Sequence, residues 1–497
     1  MSKIIVIGSG LGGLSCGYIL QKSGHDVVIL EQGTQLGGCL QCFTRKGAKF
    51  ETGMHFIGSA SSGQTMNKMM HYFNLHEDVK LSSLDTFAYN TISFCGDEFR
   101  FANGKDSFIM QMAEYFPQEK DALCKYVNIV KKIASASTLH SLTSSQRDIV
   151  IDTEFQIRSI NEVLDSIFKD ELLKNVLVGD LPLYAAELNK TPFAQHAFIM
   201  DFYNQSAYRI VGGSDSITFS FKKSIEKMGG QIFTKKKVVK IHCDDNKAIG
   251  VETEDEQFYN ADYVISTIHP NRMLELLDTK LIRPAFRSRI SAIPQTAAGF
   301  AVYLKFKDNM MPYMNTNYYG YQNYSPWNCE HYSKKEWPKG FLYMHMCHED
   351  KAQWAKSGVV LSYMNMTDVE KWRGTLIGRR GKDYEEFKRQ HAERLISTVE
   401  KYQPGFSNSI ESYFTSTPLT YFDYTGTEGG SMYGVAKDIN LGAAGRIPYR
   451  TKIPNLLLAG QNVNSHGMLG VIVGTMVTCS ELVGIDKIYK QIENLND

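Results

Sequence analysis

The chain is short of most features that mark a specialised class of protein. Its 54 Lys and Arg stand against 53 Asp and Glu, a formal net charge of +1, and no basic run is long enough for a nucleic-acid footprint. The Lys235-Lys236-Lys237 triplet lies between two apolar segments and reads as a solvated turn. Nine cysteines, odd in number and scattered, exclude a secreted disulfide framework. Cys39 and Cys42 form one C-x-x-C without a second ligand pair at similar spacing, so no metal site is expected and the pair reads as structural, a redox dithiol being the alternative. The longest uncharged stretch, Gln461 to Ser480, carries Asn462, Asn464, Ser465, His466 and several glycines, too polar for a membrane-spanning helix. No leader precedes the first apolar strand, so the expected location is cytoplasmic, with peripheral membrane contact left open. What remains is an ordinary globular composition, 43% hydrophobic and 22% charged, in 497 residues, too many for one simple core.

What is present begins at the N-terminus. Ile4 to Ile7 is an apolar, β-branched run suited to a buried parallel strand, and it enters Gly8-Ser9-Gly10-Leu11-Gly12-Gly13, which fits G-x-G-x-x-G. A helical stretch follows, then a second strand from Asp26 to Leu30 that ends at Glu31. Gly8 permits the tight turn, Gly10 lets backbone approach a pyrophosphate, and Gly13 lets helix pack closely on strand. The helix start directs free N–H groups at the phosphates, and Glu31 is placed to accept from ribose hydroxyls. These parts in register predict a site for an ADP-containing cofactor.

The residues after Glu31 bear on which cofactor it is. A second glycine pair, Gly37-Gly38, follows at once and lets backbone run alongside an extended dinucleotide, an arrangement similar to that of glutathione-reductase-type flavoproteins. Far downstream come a helix from Asp215 to Met228 and strand patterns at Gln231 to Phe233, Val238 to Ile241, Ala248 to Val251 and Ala261 to Thr267. A last buried strand, Asn455 to Gly460, leads to a helix from about Leu469, whose positive end suits a flavin pyrimidine. Strands that return after long excursions imply a discontinuous FAD domain. No second G-x-G-x-x-G follows a strand, so electrons are expected from an external donor or acceptor.

Six stretches carry a resemblance that runs from end to end: EQGTQLGGC (31–39), FETGMHFIG (50–58), VGGSDSI (211–217), GTLIGRRGKDYEEFK (374–388), TPLTYFDYTGTEGGSMYG (417–434) and NLLLAGQNVNSHGMLGVIVG (455–474). The chain resembles the retinol saturase branch of the phytoene-desaturase and carotenoid-isomerase flavoproteins. The resemblance implies flavin-dependent chemistry on a conjugated C=C bond of an apolar isoprenoid or polyene, with saturation favoured. A desaturase, a cis–trans isomerase, an amine oxidase and a non-catalytic flavin- or lipid-binding protein are the alternatives. It places Gly8, Gly10, Leu11, Gly12, Gly13, Glu31, Gln32, Gly38, Cys39 and Val238 around the ADP half, Val238 through its backbone. It sets the flavin against His55 and the stretch holding Gly460, Gln461, Asn462, Gly470 and Val471. Relatives often have Asp after the glycine matching Gly460; here Gln461 and Asn462 stand there, and either amide could meet a ribityl hydroxyl.

The expected architecture is α/β. A discontinuous Rossmann-type FAD-binding domain takes residues 1–80, 203–269 and 416–497, and a mixed-sheet and helical substrate domain takes 81–202 and 270–415. Within the latter, helices are expected at Phe108 to Phe116, Gln118 to Ser135 and Ile160 to Val176, and a strand at Ala297 to Leu304. Tyr313, Tyr318, Tyr319, Tyr321, Tyr324, Trp327, Tyr332 and Trp337 crowd one stretch and suit either a domain core with exposed phenols or an aromatic wall for a polyene. Alkene saturation needs a proton beside the hydride, from a side chain or water. His55, Glu428, Tyr433 and His466 are the candidates, with Tyr433 and His466 preferred.

Overall fold

Ile4 and Val6 point to one apolar cluster and Ile5 and Ile7 to another, so the first strand is buried on both faces. The next strand repeats the pattern, Val27 and Ile29 on one side and Val28 and Leu30 on the other. Such two-sided burial is what a parallel sheet between helices requires. The structure, a computed structural model, describes residues 1–137, Leu142 and residues 154–494. Its central sheet has five parallel strands in the order Gln231–Phe233, Asp26–Leu30, Lys3–Ile7, Tyr263–Ser266, Leu456–Leu458. They are drawn from three distant parts of the chain, as the returning strand patterns predict. Opening helix Leu11–Lys22 packs on the penultimate helix Gly467–Val483 over one face. A small antiparallel sheet, Val238–Cys243, Ala248–Thr253 and Phe258–Asn260, packs into the cluster on the other.

A second sheet of seven strands runs Ile410–Ser416, Gly299–Phe306, Ser357–Tyr363, Gly340–His345, Asn317–Tyr321, Asn90–Phe94, Asp97–Phe101. All its pairs are antiparallel except Asn317–Tyr321 with Asn90–Phe94. Helices Lys105–Tyr115 and Lys120–Ala136 fall where periodicity places them. The single helix expected over Ile160 to Val176 is instead two, Ile160–Ile167 and Glu171–Leu177. Asp170 caps the second by accepting from Leu173 N at 2.9 Å, while Lys169 N and Asp170 N both donate to Glu119 Oε1 at 2.7 Å. An N-cap acid and a remote carboxylate thus take over the backbone donors at the break.

The aromatic run is a core element. Tyr318, Tyr319 and Tyr321 lie buried on a central strand of the seven-stranded sheet, and Trp337 is buried beside Phe300. Among the described residues no single helix is long and apolar enough to cross a membrane.

Candidate functional site for a dinucleotide and an apolar ligand

One cavity of about 1940 Å³ joins the two sheets. Pockets for one drug-sized ligand run to roughly 300–1,000 Å³, so this one has room for a long cofactor and a further ligand. Its lining contains Gly8, Gly10, Leu11, Gly12, Glu31, Gln32, Gly38, Cys39, His55, Val238, Gly460, Gln461, Asn462, Gly470 and Val471, together with Tyr433 and His466.

Gly13 does not line the cavity; it makes the cradle possible. A β-carbon on it would lie 1.9 Å from the Gly8 carbonyl oxygen, and one on Gly12 would lie 2.9 Å from Gly460 Cα. Gly8, at φ +97°, turns the chain from strand to helix. A β-carbon on Gly10 would meet nothing within 4 Å, so its backbone faces open space. Beside it stand the first-turn N–H groups of Leu11–Lys22, which have no acceptor within their own helix. The residues present therefore fit a pyrophosphate: two glycines closed by packing and one left open.

Glu31 is held before any ligand arrives. Its Oε2 accepts from Ser9 N at 3.0 Å and Ser9 Oγ at 2.6 Å, and its Oε1 accepts from Gly33 N at 2.7 Å. A carboxylate has about four acceptor positions, so roughly one remains, on Oε1. Of the two amides after Gly460, Asn462 is committed: its Oδ1 accepts from Val435 N at 3.0 Å and abuts Gly434. Gln461 lines the cavity without that tie. His55 Nδ1 lies 3.5 Å from Glu51 Oε2, whose other oxygen accepts from Ser214 N at 3.1 Å.

Tyr433 and His466 come together with ring centroids 4.7 Å apart. The Tyr433 phenol donates to the Pro182 carbonyl at 2.9 Å, and burial pushes its acidity further out of reach. Gln195 Nε2 donates to His466 Nε2 at 2.8 Å. Burial, and then the nearby Lys437 charge, push the imidazole down to about 3, so it is neutral. In this geometry neither group is poised as the acid anticipated from sequence. Glu428 does not line the cavity; it faces Arg373 at 3.4 Å. Burial also raises both C-x-x-C thiols, Cys42 up to about 12, which disfavours dithiol redox chemistry.

The cavity's aromatic wall comes from residues not singled out for it by the sequence: Phe43, Tyr303, Phe414 and Tyr421, with Phe43 edge-on to Tyr303 at 4.9 Å. None of the aromatic run at 313–337 lines it. Sequence reasoning also missed Gln195, on helix Phe193–Gln205, and Lys437. The Lys437 ammonium donates to the Asn462 carbonyl at 3.4 Å, and burial lowers it to about 8. Among the described residues no group of three His, Cys, Asp or Glu is placed to hold a metal ion.

A parallel sheet of this order, a glycine cradle, a ribose acid and a helix end at the far side of one cavity define an FAD-dependent oxidoreductase. Comparison with known proteins gives the particular family: the model for flavin containing amine oxidoreductase matches residues 11–474, and the chain belongs to that family. It is 26% identical to human all-trans-retinol 13,14-reductase over 99% of this chain and 87% of that protein. It is 23% identical to prolycopene isomerase 1 of an Oncidium hybrid cultivar, over 97% of this chain and 84% of that one. Among solved structures, a putrescine oxidase triple mutant superposes with a TM-score of 0.65 at 13% identity, covering 97% of this chain and 98% of its own. FAD is the cofactor.

Proposed function

We propose that this protein saturates a C=C bond of an apolar polyene of the retinoid or carotenoid kind. The observation that carries the reading is the single cavity in which the cofactor cradle runs into an aromatic and aliphatic chamber. The similarity to all-trans-retinol 13,14-reductase over nearly the whole chain supports the direction of the reaction. Residues 1–80, 203–269 and 416–497 are assigned to the cofactor, and 81–202 and 270–415 to the substrate.

In this reading the diphosphate is held by the N–H groups at Gly10 to Gly12, one ribose hydroxyl by Glu31, and the adenine edge by Val238 backbone. Gln32, Gly38 and Cys39 close the ribose side. Gln461 takes the ribityl chain, because Asn462 is engaged with Val435. His55, Gly470 and Val471 would border the flavin, and the start of Gly467–Val483 would supply a positive helix end to it. Reduced FAD supplies a hydride when bound. The chain's own residues do the rest. Tyr303, Phe414 and Tyr421 orient a flat polyene. Tyr433 and His466 are positioning residues that form one wall of the reaction space, fixed by Pro182 and Gln195. Water supplies the proton. Electrons come from an external donor, and contact with a membrane surface gives access to the lipid.

A second reading, cis–trans isomerisation without net redox change, is favoured by the prolycopene isomerase match. The test incubates chemically reduced holoenzyme, without oxygen, with retinoids and carotenoids and follows product mass. A gain of two hydrogens supports saturation, an unchanged mass with altered geometry supports isomerisation, and a loss of two hydrogens by oxidised enzyme overturns the proposal.

A further inference from the structure

The segment Lys371–Lys382 combines an unbalanced charge with exposed apolar side chains. Its twelve residues hold five cations, Lys371, Arg373, Arg379, Arg380 and Lys382, and no carboxylate, in a chain whose net charge is only +1. At its centre stand two bare apolar side chains, Leu376 at 69% exposure and Ile377 at 55%. Soluble surfaces tolerate single exposed apolar residues; a pair at a loop tip with a third beside it asks for a partner. Tyr424, 62% exposed, is that third, and Tyr424 and Ile377 both line the mouth of the large cavity. The loop stands clear of the body: β-carbons added at Gly374 and Gly378 would meet nothing within 4 Å.

The charges sort into anchored and free. Arg380 is buried and pairs with Asp423, holding the loop's base. Lys371 pairs with Asp383 at 3.3 Å, and Arg373 with Glu370 at 3.2 Å and Glu428 at 3.4 Å. Among the described residues no ion pair engages Arg379 or Lys382. The carboxylates that follow on helix Lys382–Glu400 are already matched, Glu385 by Lys388 and Glu386 by Arg389. The loop tip therefore presents two apolar side chains followed by two cations, Arg379 and Lys382, that no carboxylate among the described residues neutralises, at the entrance of a chamber built for an apolar molecule. Two interactions favour such a surface at a lipid interface: apolar area entering the headgroup boundary and cations meeting anionic lipid.

We propose that the loop Arg373–Gly381, with Lys382 that follows it, docks the enzyme on an anionic bilayer. Leu376 and Ile377 enter the headgroup layer, Arg379 and Lys382 pair with lipid anions, and the mouth beside Ile377 and Tyr424 opens onto the lipid phase. A hydrophobic substrate then passes from bilayer to cavity without crossing water. This rests on the reading of the cavity as a site for an apolar lipid, and it assigns the entrance that reading needs.

The test uses FAD-loaded full-length protein and two sets of vesicles, phosphatidylcholine alone and phosphatidylcholine with roughly a quarter phosphatidylserine. Wild-type protein is expected to co-sediment with the anionic vesicles and only weakly with the neutral ones, losing the difference in high salt. Leu376→Asp and the pair Arg379→Gln with Lys382→Gln are each expected to weaken vesicle binding roughly tenfold or more. Leu376, Arg379 and Lys382 do not line the cavity, so FAD content and turnover of a detergent-dispersed polyene stay at the wild-type level. Wild-type co-sedimentation with both variants overturns the proposal. So does a wild-type protein that ignores vesicles but runs as a dimer dissolved by Leu376→Asp, which assigns the patch to a second copy. Vesicle binding without action on any polyene upholds the docking surface and refutes the function proposed for the cavity.

Discussion

Glu31 offers the sharpest test of the cofactor assignment because its bonds can be counted. Two of its three hydrogen bonds fix Ser9, a wholly buried residue of the cradle, and the third fixes Gly33. Glu31→Gln keeps the shape but replaces one oxygen with a donor, so either Ser9 N or Gly33 N loses its acceptor. Gly33 is only half-buried, where water can serve it, whereas Ser9 is wholly buried, so the amide oxygen stays toward Ser9 and the cradle survives. What is lost is the charged acceptor facing the ribose, whose hydroxyl must turn and accept from the amide instead, about 1.5 kcal/mol, or roughly tenfold in FAD affinity. Glu31→Ala removes that bond altogether and strands the buried Ser9 N–H. We expect roughly a hundredfold weaker FAD binding and a cofactor-free protein destabilised by about 1–3 kcal/mol. The assay titrates cofactor-free protein with FAD by quenching of flavin fluorescence, alongside denaturant unfolding of the same samples. FAD binding by Glu31→Ala within about threefold of wild type would refute the placement of the ribose.

Other perturbations separate packing from ligand contact. Gly10→Ala, whose β-carbon enters open space, is expected to leave the cofactor-free protein as stable as wild type and to weaken FAD, whereas Gly13→Ala, aimed at the Gly8 carbonyl, lowers stability by about 1–3 kcal/mol or more, with or without FAD; thermal unfolding with and without cofactor distinguishes them. Tyr433→Phe strands the Pro182 carbonyl, costing about 1 kcal/mol of stability, and turnover is expected to stay within about threefold; a drop of roughly a hundredfold or more would restore the phenol as the acid. Burial raises the Asp180 carboxyl to about 7, with Asn90 its partner at 3.4 Å and Oδ1 without one. The folded state therefore holds a proton that the unfolded chain has released, and stability falls as pH rises from about 4 to 7. Asp180→Asn is expected to flatten that slope and to stabilise the protein at pH 8; an unchanged pH profile would place Asp180 in a wetter setting.

The cradle was legible because its constraints are local. Gly8 needs positive φ and Gly13 needs room beside a neighbouring turn, so spacing alone announces them. Two-sided apolar strands announced the parallel sheet in the same way. Asp170 shows a signal that was present but outweighed: the acid that caps Glu171–Leu177 sits inside an apolar period that reads as continuous helix. The aromatic run misled because a tyrosine in a buried strand and a tyrosine in a cavity wall are the same residue until the sheet partners are known. Phe43, Tyr303, Gln195 and Tyr421 converge from four separate segments, and no pattern along the chain marks a convergence of that kind. The hydrogen bonds of Tyr433 and His466 belong to this class too. Pro182 and Gln195, which decide their chemistry, lie hundreds of positions away.

The central claim is that electrons stored on the cofactor end on a carbon–carbon double bond held in this cavity. The most direct measurement mixes stoichiometrically reduced enzyme with a retinoid or carotenoid in an anaerobic stopped-flow and follows the visible flavin spectrum, with product analysis of the same sample. The account predicts that the yellow colour returns in a single turnover, with one saturated bond formed per flavin reoxidised. Flavin that stays reduced with every polyene, while oxidised enzyme is bleached by one of them, would contradict it.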